Sequence, residues 1–204
     1  MKYDALLINA GTGNLLSVYN ALRSLGFNIL VTNNPKHLTA GERIILPGVG
    51  AFGNFMEGLS RHNLTAPLIE AAQRGDPLFG ICVGMQAFFE YGEELGQTPG
   101  LNLLPGIVPH FPPFKDKKVP HTGWNQISFE RSSQLFQKLN PGDYTYFNHS
   151  YYCAPDDPLD TIGTTDYGIT FTSIVQRDNV FGVQFHPEKS QHVGLTILNN
   201  FMNY

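Results

Sequence analysis

The sequence has only two cysteines, Cys82 and Cys153, and a single tryptophan, Trp124, in 204 residues. Two thiols cannot build a multi-bridge disulfide framework, and in a reducing compartment both stay free, so their roles are expected to differ. Long apolar runs are missing: the one within "MKYDALLINAGTGN" soon meets Gly and Asn and is too brief for a spanning helix or a signal peptide, so a cytoplasmic location is expected. Runs of one charge sign are missing too, and the dispersed net charge of −4 argues against nucleic acid or an anionic membrane as the main partner. Despite seven histidines there is no Cys-x-x-Cys or His-x-x-x-His spacing, so neither a metal site nor a cofactor is expected. No repeat, linker or low-complexity segment interrupts the chain.

What is present is enough apolar material, 42% of residues, for one sizeable core, and one domain spanning 1–204 is the expectation. "YDALLIN" reads as a buried strand and "GNLLSVYNALRSLG" as an amphipathic helix, with Leu15, Val18, Leu22 and Leu25 at helical spacing and Gly26 as its stop. "FNILVTN", "ERIILPG" and "PLFGIC" supply further strands, and "LTAPLIEAAQRG" a helix ending at Gly75. This alternation predicts an α/β fold with a doubly wound, mostly parallel central sheet flanked by helices. From about Leu103 the texture changes to short runs such as "GWNQISFE", "DYTYFNHSYYC", "TTDYGITFTSIVQ" and "VFGVQF", which predict additional antiparallel strands. "HVGLTILNNFMNY" closes the chain as a helix with Val193, Ile197, Leu198 and Phe201 on one face.

Polar or glycine-rich turns follow four of the apolar runs: "GTGN", "PGVG", "CVG" and "HPEK". Ligands bind at the carboxyl ends of strands in open α/β sheets, so these turns are expected to converge. "GICVG" has the Gly-x-Cys-x-Gly form of a nucleophile elbow, a tight strand-to-helix turn, here leading into the expected helix "GMQAFFEYG", whose dipole would favour a thiolate. Viewed alone, Cys82 is equally well a small buried core thiol. "VFGVQFHPEKS" breaks the tie. Pro187 keeps His186 extended, and residues two apart then point to the same side, so Glu188 can orient His186 as the base for Cys82. Backbone N–H groups of the "LPGVG" loop, at Gly48, Val49 and Gly50, are candidate donors to an oxyanion. "GTGN" lacks the third glycine of a dinucleotide fingerprint and is discounted. Cys153, in "SYYCAP", reads as structural.

"GICVGMQ" together with "GVQFHPEKS" resembles the class I, triad-type glutamine amidotransferases. Within that class, "GTGNLLSV", "LPGVGAF", "LPGIV", "VPHTGWN", "YFNHSYY" and "TTDYG" are most similar to the glutaminase subunits of imidazole glycerol phosphate synthases, across essentially the whole chain. The resemblance implies hydrolysis of L-glutamine to glutamate and ammonia through a thioester on Cys82. It implies that the ammonia passes to a cyclase subunit with a (β/α)8 barrel, in a heterodimer, for histidine biosynthesis. It further implies that Gln86, His149, Ser150 and Tyr151 hold glutamine, that the oxyanion loop is inactive until the partner binds its substrate, and that Asn14, Trp124, Tyr146 and Lys189 face the partner. Viewed alone, Trp124 would be a core residue and Lys189 a solvated charge. The chain departs from the family pattern at Asn9, Ala10, Thr122 and Asn148, which leaves open a related synthase, such as one amidinating a sugar. A non-catalytic regulatory subunit is a third reading, opposed by the intact Cys82, His186 and Glu188.

Overall fold

The structure is a computed structural model that describes residues 3–39 and 41–204. Four strands in the first half, β1 (Ala5–Ile8), β2 (Ile29–Thr32), β3 (Ile44–Gly48) and β4 (Leu78–Cys82), pair in parallel in the order β2-β1-β3-β4. β1, β3 and β4 are buried along their whole length, as strands covered on both faces must be. Between them run α1 (Leu15–Ser24), α2 (Phe52–Arg61) and α3 (Thr65–Arg74). Gly26 and Gly75 stand at positive φ where α1 and α3 stop, the left-handed position that glycine fills without strain.

Helix α2 was not expected from the sequence, although Phe52, Phe55, Met56 and Leu59 follow helical spacing and are all buried. Its first turn has no local side-chain cap; the Glu94 carboxylate accepts the Phe52 N–H at 2.7 Å from a remote loop. The helix expected after β4 is reduced to one turn, α4 (Val83–Gln86). Its continuation is blocked because the N–H groups of Leu101, Asn102, Leu103 and Leu104 take the carbonyls of Ala87, Phe89 and Phe88, closing residues 87–89 against another segment.

The second half carries β5 (Tyr91–Gly92), β6 (Thr98–Pro99), β7 (Gly106–Val108), β8 (His121–Gln126), β9 (Ser128–Phe129), β10 (Tyr144–His149), β11 (Ala154–Pro155), β12 (Thr161–Asp166), β13 (Thr170–Arg177) and β14 (Val180–Val183), then α5 (Gln191–Met202). β14 lies parallel to β4, while β13, β12 and β9 extend the same sheet antiparallel, giving eight strands ordered β2-β1-β3-β4-β14-β13-β12-β9. β8 and β10 form a separate antiparallel pair, and β11-β7-β5-β6 a small sheet. The doubly wound α/β architecture with antiparallel additions is thus the one expected. No helix among the described residues is long and apolar enough to cross a membrane.

Candidate active site

Cys82 ends β4 at φ 55°, ψ −112°, a backbone conformation that side-chain-bearing residues occupy only under strain. Both flanking glycines are needed for the turn. A Cβ on Gly80 would stand 2.6 Å from the Met85 nitrogen, and one on Gly84 1.8 Å from the Leu46 carbonyl oxygen of β3. The elbow is therefore folded back on its own strand and pressed against the neighbouring one. With α4 only one turn long, the helix dipole adds little at the thiol, and its polar surroundings come from side chains instead.

The first of these is His186. β14 runs alongside β4 with Val183 opposite Ile81, so the chain leaving β14 passes directly by Cys82. His186 is extended, as expected, but Pro187–Lys189 then turns into a short 3-10 helix rather than continuing extended. That turn places Glu188 Oε1 3.0 Å from His186 Nδ1, with the two side chains 3% and 1% exposed. Helix α5 fixes the segment from behind: Gly194 lies so close that a Cβ there would fall 1.9 Å from the Pro187 carbonyl oxygen. Burial alone would discharge the imidazole, but hydrogen bonds with Cys82 and Glu188, and the charges of both, raise its pKa to about 10. Nδ1 serves Glu188, which leaves Nε2 as the nitrogen available to Cys82. A thiol and a carboxyl group on either side of one buried imidazole is the arrangement that cysteine acyl transfer uses for nucleophile, proton carrier and orienter.

The second is Gln184, which the sequence reading missed although it lies inside the quoted "VFGVQFHPEKS". It is fully buried, and its Nε2 donates to Cys82 Sγ at 3.6 Å, while its Oε1 accepts from Gln86 Nε2 at 3.1 Å. Gln86 also donates to the Tyr151 carbonyl at 3.1 Å. Both amide hydrogens of Gln86 are thereby used, and its carbonyl oxygen accepts no hydrogen bond among the described residues.

Around the thiol is a cleft of about 410 Å³. Asn14, Val49, Gly50, Cys82, Gln86, His149, Ser150, Tyr151, His186 and Lys189 line it, so the turns after β1, β3, β4 and β14 do converge. Gly48 lies buried at the end of β3, where a Cβ would strike Phe55 at 2.7 Å, and Glu188 stands behind His186. Gly50 takes φ 88°, a conformation glycine adopts freely. Val83, the residue after the nucleophile, and Glu94 also line the cleft and went unread in the sequence. Glu94 is its one acidic residue and Lys189 its one lysine or arginine.

Trp124 and Tyr146 lie outside the cleft. They are paired across β8 and β10 with ring centroids 6.0 Å apart, and Lys189 Nζ sits 5.7 Å from the Tyr146 ring. Trp124 is 47% exposed, so it is a surface residue rather than a core one. Two of the departures from the family pattern form one unit: Thr122 and Asn148 are opposed across the same hairpin, and the Thr122 hydroxyl donates to Asn148 Oδ1 at 3.0 Å. Asn9 Oδ1 accepts from the Gly11 N–H at 2.9 Å, and Ala10 is buried. Cys153 is buried outside the cleft and bridged to Thr172; burial first, and then the charge of Cys82, push its thiol pKa up.

The family model described as "Glutamine amidotransferase class-I" matches residues 6–203. The chain belongs to that family. Among relatives named "Imidazole glycerol phosphate synthase subunit HisH", that of Moorella thermoacetica is 50% identical over 195 residues, covering 96% of this chain and 92% of its own. That of Syntrophotalea carbinolica is 44% identical over 201 residues, covering 96% and 98%. Among solved structures, "Crystal structure of glutamine amidotransferase" superposes with a TM-score of 0.75 at 16% identity, covering 98% of this chain and 97% of that one. "Structure of PurLQS from Thermotoga maritima" gives 0.71 at 18%, covering 100% and 99%. At such identities these two structures speak for the fold alone.

Proposed function

We propose that this amidotransferase is the glutaminase subunit of an imidazole glycerol phosphate synthase. The observation that carries the chemistry is Cys82 on its strained elbow, with His186 in the same cleft and held by Glu188 at 3.0 Å. The pathway rests on the names and near-complete coverage of the HisH relatives.

In this reading L-glutamine enters the cleft with its ammonium toward Glu94 and the Gln86 carbonyl oxygen, and its carboxylate toward the Ser150–Tyr151 backbone. The Cys82 thiolate attacks the side-chain amide carbon, and the carbonyl oxygen becomes an oxyanion. Backbone N–H groups of the Val49–Gly50 loop and of Val83 are the donors placed to receive it. His186 gives its proton to the departing nitrogen, the C–N bond breaks, and ammonia leaves behind a glutamyl thioester. Neutral His186 then takes a proton from water, whose oxygen attacks the thioester. The C–S bond breaks, glutamate departs, and the thiolate–imidazolium pair is restored. Glu188 holds Nδ1 and orients the ring throughout.

Asn14, Trp124, Tyr146 and Lys189 surround the mouth of the cleft or stand beside it, where a (β/α)8-barrel cyclase subunit would seat and collect the ammonia. Glutamate release is measured with and without that cyclase carrying its nucleotide substrate. The isolated chain is expected to turn over glutamine very slowly and to be strongly stimulated by the complex. Cys82→Ala is expected to remove glutamine-dependent but not ammonia-dependent synthesis. Full activity from the chain alone, or glutaminase activity in Cys82→Ala, would refute the reading. Stimulation only by a synthase that amidinates a sugar would redirect it to the alternative pathway.

A further inference from the structure

His121 has no place in the chemistry above and does not line the cleft. It stands directly opposite His149 at the end of the β8–β10 hairpin, with 2% exposure against 6% for its neighbour. Its ring is sandwiched between Phe147 and Tyr167, at centroid distances of 4.7 and 3.9 Å.

The hydrogens of this pair have a single consistent arrangement. A carbonyl oxygen only accepts, so His149 Nδ1, 2.8 Å from the Tyr151 oxygen, must carry a hydrogen. In a neutral ring Nε2 is then an acceptor, and the atom facing it at 3.1 Å, His121 Nδ1, must donate. His121 Nε2 in turn accepts from Asn125 Nδ2 at 3.3 Å, whose second hydrogen goes to the Asp166 carbonyl at 2.8 Å. The direction of donation therefore runs one way, from Asn125 through His121 and His149 to the Tyr151 carbonyl. A proton added to either ring would put two N–H groups face to face. Burial already opposes that, lowering the His121 pKa to about 4 and the His149 pKa to about 3. The chain ends on the same carbonyl oxygen that receives Gln86, one step from Gln184 and Cys82.

We propose that His121 is a positioning residue for the glutamine site: acting only through His149, it fixes the Tyr151 carbonyl against Gln86 without touching the substrate. Its effect on glutamine use rests on the glutaminase reading; the tautomers that underlie it do not.

Two measurements test it. In the full chain labelled with 15N-histidine, long-range 1H–15N correlation at neutral pH is expected to show both rings neutral with the hydrogen on Nδ1. A hydrogen on Nε2 of either ring overturns the proposal. In the complex with the cyclase, His121→Phe keeps the aromatic stack and loses the hydrogen bonds. The KM for glutamine is expected to rise about tenfold with kcat within about twofold, as loss of a hydrogen bond that places a binding group would produce. His121→Asn restores a donor near the Nδ1 position and is expected to bring KM back to within about threefold of the parent. An unchanged KM in His121→Phe, an equal loss in both variants, or a fall confined to kcat would overturn the positioning role. If the unaltered complex uses no glutamine, the glutaminase reading fails, and the tautomers still decide whether the hydrogen-bond chain exists.

Discussion

Replacing Cys82 by Gly and by Ala gives two variants without a nucleophile, so the difference between them isolates the backbone of the elbow. At φ 55°, ψ −112° a residue with a Cβ is strained by about 2 kcal/mol, and glycine is not. Glycine loses about 0.7 kcal/mol through the greater freedom of its unfolded chain, and about 0.8 kcal/mol for the buried methyl it lacks. Cys82→Gly should then be more stable than Cys82→Ala by about 0.5 kcal/mol, whereas at an unstrained buried position it would be less stable by about 1.5 kcal/mol. The gap of about 2 kcal/mol between the two outcomes corresponds to roughly 4–8 °C in Tm for a chain of this size. Urea unfolding followed by circular dichroism reads the difference directly. A glycine variant less stable than the alanine variant by 1 kcal/mol or more would mean that Cys82 is not strained and that the elbow stores nothing.

Two further outcomes follow from the same site. Gln184→Met keeps the buried volume but removes the donor to Sγ; alkylation of Cys82 by iodoacetamide at neutral pH should slow about fivefold, the effect of one hydrogen bond to a charged acceptor at long range, and an unchanged rate would remove Gln184 from the site. The histidines also give the fold a pH optimum. His121 and His149 have lowered pKa values, so their stabilisation is complete above about 6.5 and is lost as pH falls toward about 4 and about 3. His186 has a raised one, so its contribution is complete below about 6.5 and is lost as pH rises toward about 10. Stability measured by urea titration should therefore peak near neutrality, and in Cys82→Ala, where a partner that raises the His186 pKa is gone, the decline between pH 7 and 10 should be shallower. An identical alkaline slope in both proteins would contradict the ion pair.

The parallel core was legible because each of its strands is a short apolar run ended by a turn, a signal local to the sequence. That Cys82, His186 and Glu188 come together was legible for a related reason: Cys82 lies within such a turn, and His186 and Glu188 follow the last buried strand together. What could not be read was whatever a distant segment decides. Helix α2 begins after "PGVGA", which reads as loop, and its cap is Glu94, supplied from far along the chain. The helix after Cys82 stops early because Leu101–Leu104 claim its carbonyls. Thr122 and Asn148 read as two separate departures until the hairpin register places them opposite one another. Gln184 was hidden differently: in a buried apolar strand a polar residue looks like an exception to be tolerated, and only the β14–β4 register shows what it reaches.

The surroundings of the three buried histidines explain their opposite protonation. His186, His149 and His121 all pay desolvation, but only His186 has a carboxylate and a thiol on its ring, and only its pKa rises. The other two have neither: burial lowers both, the Tyr151 carbonyl offsets this only in part at His149, where the charges of His121 and His186 lower the pKa further, and the charge of Lys117 lowers that of His121. A pair of environments that drive the same side chain in opposite directions separates the proton carrier from the scaffold. In the proposed reaction His186 can give a proton to the leaving nitrogen because its raised pKa keeps it a cation. His149 stays neutral, and only so can its Nε2 accept from His121 while Nδ1 donates to the Tyr151 carbonyl. Were His149 protonated in the same cleft, its charge would compete with His186 for the thiolate and break the hydrogen-bond chain that ends at Gln86. The neutrality of one histidine is thus a condition for the charge of the other.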